Sequence, residues 1–338
     1  MRVLLAVSGG IDSMYMLHRA PELFPGASFA VAHCNFRLRG EESDGDEAFV
    51  RAECGKLGVE CFVERFDTAG YASQHGVSVE MAARELRYEW FSRLCGERGF
   101  GALATAHNAN DNAETLILNL LRGTGTKGLR GIPDGRILRP LLGVTRDEIR
   151  GWMESRGMKW REDRTNGENE ARRNKIRNQV FPVFAEINPS FVKTLGEDIR
   201  RIRQTDDIAD DYFREAEARI VRKGATGLPE IGVTGLLALK HWRYVLWRIL
   251  EDYGFSAETF EKLCTLLDRY RTEPLGTVTL SGKSFQAPEY VLRARKKSLV
   301  LTVTALLYDS REEPQTEAPT ALWHIQAASL MRLSPSEK

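Results

Sequence analysis

The chain has 338 residues, of which 42% are hydrophobic and 28% charged, and its 48 Lys and Arg residues nearly balance 47 Asp and Glu residues. This ordinary globular usage excludes a disordered or low-complexity protein, and the length indicates about two domains. A net charge of +1 neither requires nor excludes a nucleic-acid partner, so only local clustering of charge can decide that question.

Membrane and metal-rich classes are also disfavoured by the pattern of residues. No apolar run approaches the roughly 18 residues of a membrane helix, and the first residues show no signal-peptide pattern. The five cysteines are widely spaced and form no C-x-x-C pair, which is typical of a reducing compartment. We therefore expect a cytoplasmic protein that binds no membrane and carries no disulfide framework, zinc site or iron–sulfur site.

The first third of the chain alternates short apolar runs with helical patterns. Continuous β-rich apolar runs predict strands that are buried on both faces, and apolar residues at helical spacing predict helices. The predicted strands cover 3–7, 29–33, 60–66 and 102–106, and the predicted helices cover 11–20, 46–57, 79–96 and 110–121. Strands and helices that alternate with short links predict an α/β fold built on a doubly wound parallel sheet.

The pattern changes after Pro140. Thr145 and Glu148 have the spacing of a capping box at the start of a predicted helix over 145–157. Further on we predict a long amphipathic helix, a small helical unit and a β-hairpin or meander, over 188–221, 236–270 and 276–303. We accordingly divide the chain into a first domain with a basic helical extension, a smaller, mainly helical domain with the meander, and a polar, loosely ordered tail, over 1–205, 206–305 and 306–338.

Polar clusters follow three of the predicted strands, over residues 8–13, 33–39 and 107–114. Ligands of open parallel sheets bind outside the carboxyl ends of the strands. The sequence therefore predicts one site, at the sheet edge where these three clusters converge.

The first cluster joins a strand to a helix, and it reads Ser8, Gly9, Gly10, Ile11, Asp12 and Ser13. Its glycines present bare N–H groups, its serines add hydroxyls and the helix that follows adds its positive dipole end, so the segment can hold a pyrophosphate. It is neither the G-x-x-x-x-G-K-[ST] nor the G-x-G-x-x-G pattern. It matches the S-G-G-x-D-S signature of the PP-loop ATP pyrophosphatases, which split ATP into AMP and pyrophosphate while they adenylate a substrate.

Further segments narrow the class, and they cover 32–43, 104–115, 120–125, 139–142, 161–163 and 173–177. In this order and spacing, most closely over residues 1 to 200, the chain resembles the tRNA(Ile)-lysidine synthetases. The resemblance implies that ATP adenylates carbon 2 of the wobble cytidine of an isoleucine tRNA with a CAU anticodon, and that the side-chain amine of L-lysine then displaces AMP. It also implies Mg²⁺ as a cofactor, a second domain that binds tRNA, and a homodimer.

Acidic residues are expected to receive the lysine. Asp111 and Glu114 stand at i, i+3 at a helix start and share one face, and the resemblance assigns this D-x-x-E pair to lysine. Asp12 lies inside the phosphate loop, where an acid beside phosphates needs a cation. We therefore expect Asp12 to face Mg²⁺ or the incoming amine.

Basic and imidazole side chains complete the predicted site. His107 ends a predicted strand and is expected to reach the reacting phosphate, and His33 joins the six loop residues as a predicted ATP ligand. The pattern R-x-x-R-Y contains Arg84 and Arg87, and the resemblance leads us to Arg87 as the catalytic arginine. The predicted catalytic set is therefore Asp12, Arg87, His107, Asp111 and Glu114.

A basic run indicates the RNA-binding side. Residues 136–177 contain twelve Arg or Lys against seven Asp or Glu, and the densest part is formed by Arg172, Arg173, Lys175 and Arg177. Such clusters contact phosphates, so we expect these four to meet tRNA or nucleotide phosphate. A base that leaves its stack is usually received by an aromatic or arginine plane, and the candidates here are Phe36, Trp152 and Trp160.

Two other functions stay open at this point. A PP-loop tRNA thiolase would often need paired cysteines, and a non-catalytic ATP- or RNA-binding protein would bind tRNA without releasing pyrophosphate. The chain also departs from the family pattern at several positions where relatives carry His, Gly or Asp, namely Phe36, Arg37, Asn108, Asn110 and Asn178.

Overall fold

The structure, a computed structural model, describes residues 1–133, 135, 137–161, 168–274 and 276–304, without the side chains of 168–171. The chain divides into two compact units, Met1–Asp207 and Ile208–Lys338. The sequence-based limits of the domains stay a prediction. Glu162 and Asp163 of the motif segments and the tail 306–338 lie outside the described residues.

The first unit is built on a five-stranded sheet with the strand order β3-β2-β1-β4-β5, and all four neighbouring pairs are parallel. The strands are β1 (Arg2–Ala6), β2 (Ser28–Asn35), β3 (Cys61–Arg65), β4 (Ala102–Ala104) and β5 (Ile137–Leu138). The helices are α1 (Ile11–His18), α2 (Ala20–Leu23), α3 (Glu41–Leu57), α4 (Thr68–His75), α5 (Val79–Arg98), α6 (Ala109–Arg122), α7 (Thr126–Leu129), α8 (Arg146–Ser155), α9 (Glu168–Lys175) and α10 (Phe181–Ile187), with a π-helical turn at Ile176–Val180. A further helix, α11 (Phe191–Ile220), begins in the first unit and ends in the second.

The alternation of side chains along β1 divides the core of this unit into two layers. Val3 and Leu5 pack with Met14 of α1 and Ile149 of α8 on one face, whereas Leu4 belongs to a separate cluster on the other face. Successive side chains of a strand point to opposite faces, so a continuous apolar strand is the pattern that a sheet covered on both sides requires. The predicted doubly wound parallel sheet is confirmed.

The helices of this unit differ from the predicted ones at α3, which begins earlier, and at α4, which was not predicted. α3 begins at Glu41 and not at residue 46, and three acids in its first turn complement the helix dipole. α4 was not predicted, because it has eight residues and buries only Thr68 and Ala72, which leaves too little apolar periodicity to detect. The capping box of Thr145 and Glu148 is present at the start of α8.

The second unit combines helices with an antiparallel sheet in the strand order β6-β7-β10-β9-β8. Its elements after α11 are β6 (Val221–Lys223), β7 (Pro229–Gly232), α12 (Val233–Ala238), α13 (Trp242–Leu250), α14 (Ala257–Thr272), β8 (Lys283–Gln286), β9 (Tyr290–Ala294) and β10 (Ser298–Val303). The predicted meander is confirmed as β8-β9-β10. β6 and β7 were not predicted, because strands of three and four residues carry almost no periodicity of their own.

The core of the second unit lies between its helices and its sheet. Leu236, Leu246 and Leu267 from the three helices pack with Leu292 and Leu299 from the sheet, and all five are buried. In the described part of the chain, no helix combines the length and the apolar character that a membrane span needs.

Candidate functional site

The three polar clusters meet at one edge of the parallel sheet. They follow β1, β2 and β4, which are adjacent because β1 pairs with β2 on one side and with β4 on the other. The chain order of the strands reverses between β1 and β4, and such a point leaves a crevice at the carboxyl ends. The convergence that the sequence predicted is therefore a consequence of the strand order.

The predicted phosphate loop is organised by its two serine hydroxyls. The Ser13 hydroxyl accepts hydrogen bonds from the N–H groups of Ser8, at 3.2 Å, and Gly9, at 3.1 Å, and donates to the Gly10 carbonyl at 2.9 Å. Gly9 has φ +97°, which favours glycine at this position. The loop ends where α1 begins, so it lies at the positive end of the helix dipole.

Ile11 and Asp12 take different directions from this loop. The Ile11 side chain is buried in the core, which leaves its backbone N–H, at the first position of α1, as the group that can reach a phosphate. Burial raises the pKa of Asp12, and repulsion from Asp111 raises it further. The Asn108 side-chain amide donates to Asp12 Oδ1 at 2.9 Å and offsets part of this cost.

An open cleft of about 970 Å³ lies along this edge of the first unit. Of the residues predicted for the site, those that line it are Ser8, Gly10, His33, Arg87, His107, Arg172 and Arg173. Lys175 is exposed and is not among the described residues that line the cleft. The cleft is also lined by Arg39 and Arg161, to which the sequence analysis gave no role.

Burial favours the neutral form of both histidines of the cleft. His33 is buried, and its Nδ1 donates to the Val7 carbonyl at 2.9 Å. Burial lowers the pKa of His33 and also that of His107, whose Nδ1 lies 3.0 Å from Thr105 Oγ1. A neutral imidazole can accept a proton, so His107 has the form that a proton acceptor needs.

Glu114 and Asp111 form a second feature beside the phosphate loop. Glu114 is completely buried, and its Oε1 accepts a hydrogen bond from Arg177 Nε at 2.7 Å. Arg177 Nη2 also lies 3.6 Å from Asp111 Oδ1. Glu114 Oε2 has no hydrogen-bond partner among the described residues. Burial raises the pKa of Glu114 in spite of the arginine.

The position of Arg177 differs from what we predicted. We expected it to meet phosphate, but its guanidinium pairs with two carboxylates in this structure. Its role as a phosphate ligand stays a prediction that requires this pairing to break. None of Asp12, Asp111 and Glu114 is among the described residues that line the cleft.

Asn108 is a site residue that the sequence analysis missed. It is the N-cap of α6, where its side chain and that of Asp111 satisfy each other's backbone N–H groups in a capping box. The same side chain bonds Asp12 and so links α6 to the phosphate loop. The signal was present, because Asn before a helix with an acid three residues later is a capping pattern, but we treated Asn108 only as a departure from the family.

The aromatic candidates are separated by their packing. Phe36 lines the cleft, stacks on Phe66 with ring centroids 5.6 Å apart, and has the Arg87 guanidinium 5.1 Å from its own centroid. Trp152 packs edge-on against Tyr15 at 5.1 Å, and Trp160 lies against the same core cluster. Among these three candidates, Phe36 is the one in the cleft.

Among the described residues, no group of three or more His, Cys, Asp or Glu side chains is arranged so that it could bind a metal ion. The five cysteines are free thiols. A carboxylate beside a phosphate loop nevertheless fits Mg²⁺, because proteins usually bind that ion through one or two carboxylates together with substrate phosphates. Asp12 is the carboxylate in that position.

Comparisons with known proteins agree with this geometry. Residues 1–184 match the family model described as PP-loop domain, and residues 229–304 match the TilS substrate binding domain. The tRNA(Ile)-lysidine synthase of Chlorobaculum tepidum is 40% identical over 81% of this chain and 86% of its own length. This chain belongs to the tRNA(Ile)-lysidine synthase family. A second relative with that name, from Porphyromonas gingivalis, is 38% identical over 89% of this chain and 64% of its own length.

Solved structures relate this lysidine synthase family member to other PP-loop proteins by fold. The U34-tRNA thiolase NcsA from Methanococcus maripaludis, described with a [4Fe-4S] cluster, has a TM-score of 0.50 and 19% identity over 60% of this chain and 72% of its own. That similarity is one of fold alone. The thiolase alternative therefore gains no support, whereas the lysidine synthase family covers both units.

Proposed function

We propose that the protein is a tRNA(Ile)-lysidine synthase, which adenylates carbon 2 of the wobble cytidine of a CAU-anticodon isoleucine tRNA and then joins L-lysine to that carbon. The observation that carries this proposal is the position of Glu114, a fully buried carboxylate with one oxygen that has no hydrogen-bond partner among the described residues. Glu114 is on α6, which follows β4, and β4 is paired with β1, the strand that leads into the phosphate loop. An ATP site next to a buried carboxylate with an unmatched oxygen suits a reaction whose second substrate is a cation.

The first step needs groups that hold ATP and stabilise the charge that develops on its phosphates. The backbone N–H groups and hydroxyls of the loop from Ser8 to Ser13 bind the pyrophosphate part. Arg87 and Arg173 line the same cleft and stabilise the transferring phosphate, since preorganised cations act most strongly where water is scarce. Mg²⁺ held by Asp12 would neutralise part of the phosphate charge.

The second step needs a pocket for lysine and an acceptor for a proton. Asp12, Asp111 and Glu114 are three neighbouring carboxylates; Arg177 pairs with Asp111 and Glu114, and Arg146 and Arg173 also act electrostatically on the cluster. A lysine ammonium can donate to Glu114 Oε2, and it passes one proton to that carboxylate to become the nucleophilic amine. The amine forms the new carbon–nitrogen bond as the bond from carbon 2 to the AMP oxygen breaks, and the second proton it loses goes to a base, for which His107 is our candidate.

The tRNA requires a basic surface and a receiver for the cytidine. Arg172 and Arg173 line the cleft, and Lys175 is exposed next to them in sequence. Phe36 is the aromatic ring at the cleft and receives the cytosine in this scheme. The second unit contains the region that matches a substrate binding domain, which supports its assignment to tRNA. Homodimer formation stays a prediction that sedimentation equilibrium would measure.

The decisive experiment incubates the whole protein with ATP, Mg²⁺, labelled lysine and an isoleucine tRNA that carries a CAU anticodon. We expect lysine to be retained on the RNA, and to be lost when the wobble cytidine is replaced. Pyrophosphate release without retained lysine would contradict the lysine pocket but leave the ATP site standing. Neither product would contradict the assignment of the phosphate loop itself.

A further inference from the structure

Arg39 and Arg161 are among the arginines of the cleft that have no part in the scheme above. Arg39 follows β2 and Arg161 follows α8, far apart in the chain, and both line the cleft together with Ser8 and Gly10 of the phosphate loop. Cations beside a polyphosphate site are candidates for direct contact with the ligand. The question is what holds two long, flexible side chains there.

Asp46 joins the two arginines. Its Oδ2 accepts a hydrogen bond from Arg39 Nη2 at 2.7 Å, and its Oδ1 accepts one from Arg161 Nε at 2.7 Å. The Asp46 side chain is only 14% exposed and itself lines the cleft. Charge-assisted bonds of this length are the strong class. Asp46 and Glu42, whose carboxylate lies 4.0 Å from Arg39, both face this group, so its suitability for a phosphate depends on the N–H donors that the two guanidiniums place at the cleft and not on a surplus of positive charge.

The same group is tied directly to the phosphate loop. The Arg161 backbone N–H donates to the Gly9 carbonyl at 2.9 Å. The Arg161 guanidinium also passes close to Gly45 of α3, where an added Cβ would lie 3.3 Å from Nη2. Arg161 is therefore positioned from two sides, by the loop and by the helix that carries Asp46.

We propose that Asp46 is a positioning residue, which holds Arg39 and Arg161 as a second anion-binding pair for the pyrophosphate part of ATP. This inference rests on the proposed ATP site and adds residues to it. Guanidiniums that are fixed before the ligand arrives lose less conformational freedom on binding, and they need no rearrangement when charge develops on the leaving pyrophosphate.

The test compares the binding of ATP and AMP to the whole protein by calorimetry, without tRNA. Asp46→Asn is expected to weaken ATP binding about tenfold or more and AMP binding about twofold at most, because only ATP carries the pyrophosphate part. Glu41→Gln is the matched control. Glu41 is exposed in the first turn of the same helix, and its variant should bind both nucleotides as the wild type does.

A double-mutant cycle separates positioning from general structural damage. If Asp46 acts through Arg161, then Asp46→Asn costs less ATP affinity in an Arg161→Gln background than in the wild type. If the double variant loses ATP affinity by the product of the two single-variant factors, the inference is overturned. An equal loss of ATP and AMP affinity in Asp46→Asn would also overturn it. Unchanged ATP binding by Asp46→Asn would overturn the inference alone, whereas wild-type protein that binds no ATP would overturn the proposed function.

Discussion

At the scale of single residues, the acidic cluster combines burial with incomplete pairing. Glu114 is fully buried, and Arg177 satisfies one of its two oxygens. Burial of a carboxylate is costly unless every lone pair is matched. Burial accordingly raises the pKa of Glu114, so the glutamate costs folding stability as the pH rises through that raised pKa. A cationic substrate would remove this cost.

The raised pKa of Glu114 predicts the pH dependence of lysine use. The ionised carboxylate attracts the ammonium and the protonated form does not, so kcat/KM for lysine should fall as the pH falls through the raised pKa. That acid limb should be lost in Glu114→Gln, which should use lysine poorly at every pH. Glu154→Gln, an exposed glutamate on α8, should keep the wild-type profile. If Glu114→Gln keeps the same decrease of kcat/KM at low pH, that decrease reports the titration of another group.

Asp111 predicts a separation of lysine use from tRNA binding. Asp111→Asn keeps a side-chain oxygen for the cap on Asn108 but removes the negative charge near Arg177. We expect KM for lysine to rise about tenfold, while the Kd for tRNA changes no more than about twofold. Asp147→Asn, in the first turn of α8, serves as the control in the same two assays. Equal losses of lysine use and tRNA binding would rule out the lysine pocket.

At the scale of elements, α11 supports the segment that follows α6. Asp206 of α11 is buried and accepts hydrogen bonds from Thr126 of α7, at 2.5 Å, and from Arg130, at 3.0 Å. Arg203 donates to the carbonyls of Arg130 and Ile132 at 2.9 and 2.7 Å. Four hydrogen-bonding groups of this segment, namely the Thr126 hydroxyl, the Arg130 guanidinium and the carbonyls of Arg130 and Ile132, thus depend on one helix that is distant in sequence.

Arg130→Ala is expected to destabilise the protein through this contact. The substitution leaves Asp206 buried without its cation, which typically costs about 3 kcal/mol in the free energy of unfolding. Arg201→Ala is the control, because Arg201 is on α11 like Asp206 but is 62% exposed and pairs only with exposed acids in the described part of the chain. We expect that substitution to change the free energy of unfolding by about 0.5 kcal/mol or less. Urea denaturation measures both, and similar values for the two variants would contradict the role of α11 as a support.

At the scale of the whole molecule, charge is distributed unevenly although the net charge is only +1. The cleft at the carboxyl edge of the parallel sheet is lined by several arginines, among them Arg84, Arg87, Arg122, Arg172 and Arg173. Phosphate contacts from such a surface release counterions, so the affinity for RNA should fall steeply with salt. The near-neutral composition therefore conceals a surface suited to an anionic partner.

The salt dependence of tRNA binding tests this surface. Arg173→Ala should weaken binding and reduce the slope of log K against log salt by about one unit. Arg98→Ala is a control from the opposite edge of the sheet, where the Arg98 carbonyl accepts a hydrogen bond from Arg2 at the start of β1. That variant should leave the slope unchanged, and an equal effect of the two substitutions would mean that the cleft does not bind the RNA.

The sequence by itself determined the sheet class and the phosphate loop, because each depends on a local signal: a continuous apolar strand, or glycines before a helix. It also predicted that three polar strand ends converge, because ligands of parallel sheets bind outside the carboxyl ends of the strands. Only the tertiary structure decided which distant side chains meet. Asp12 bonds Asn108, Glu114 takes Arg177, and Asp46 holds Arg161, across 96, 63 and 115 residues of chain. Those pairings depend on how helices pack across the ends of the strands, and no local periodicity encodes that packing. For the same reason the short strands β6 and β7 could not be predicted from the sequence, because they are defined by their pairing with each other and with β10.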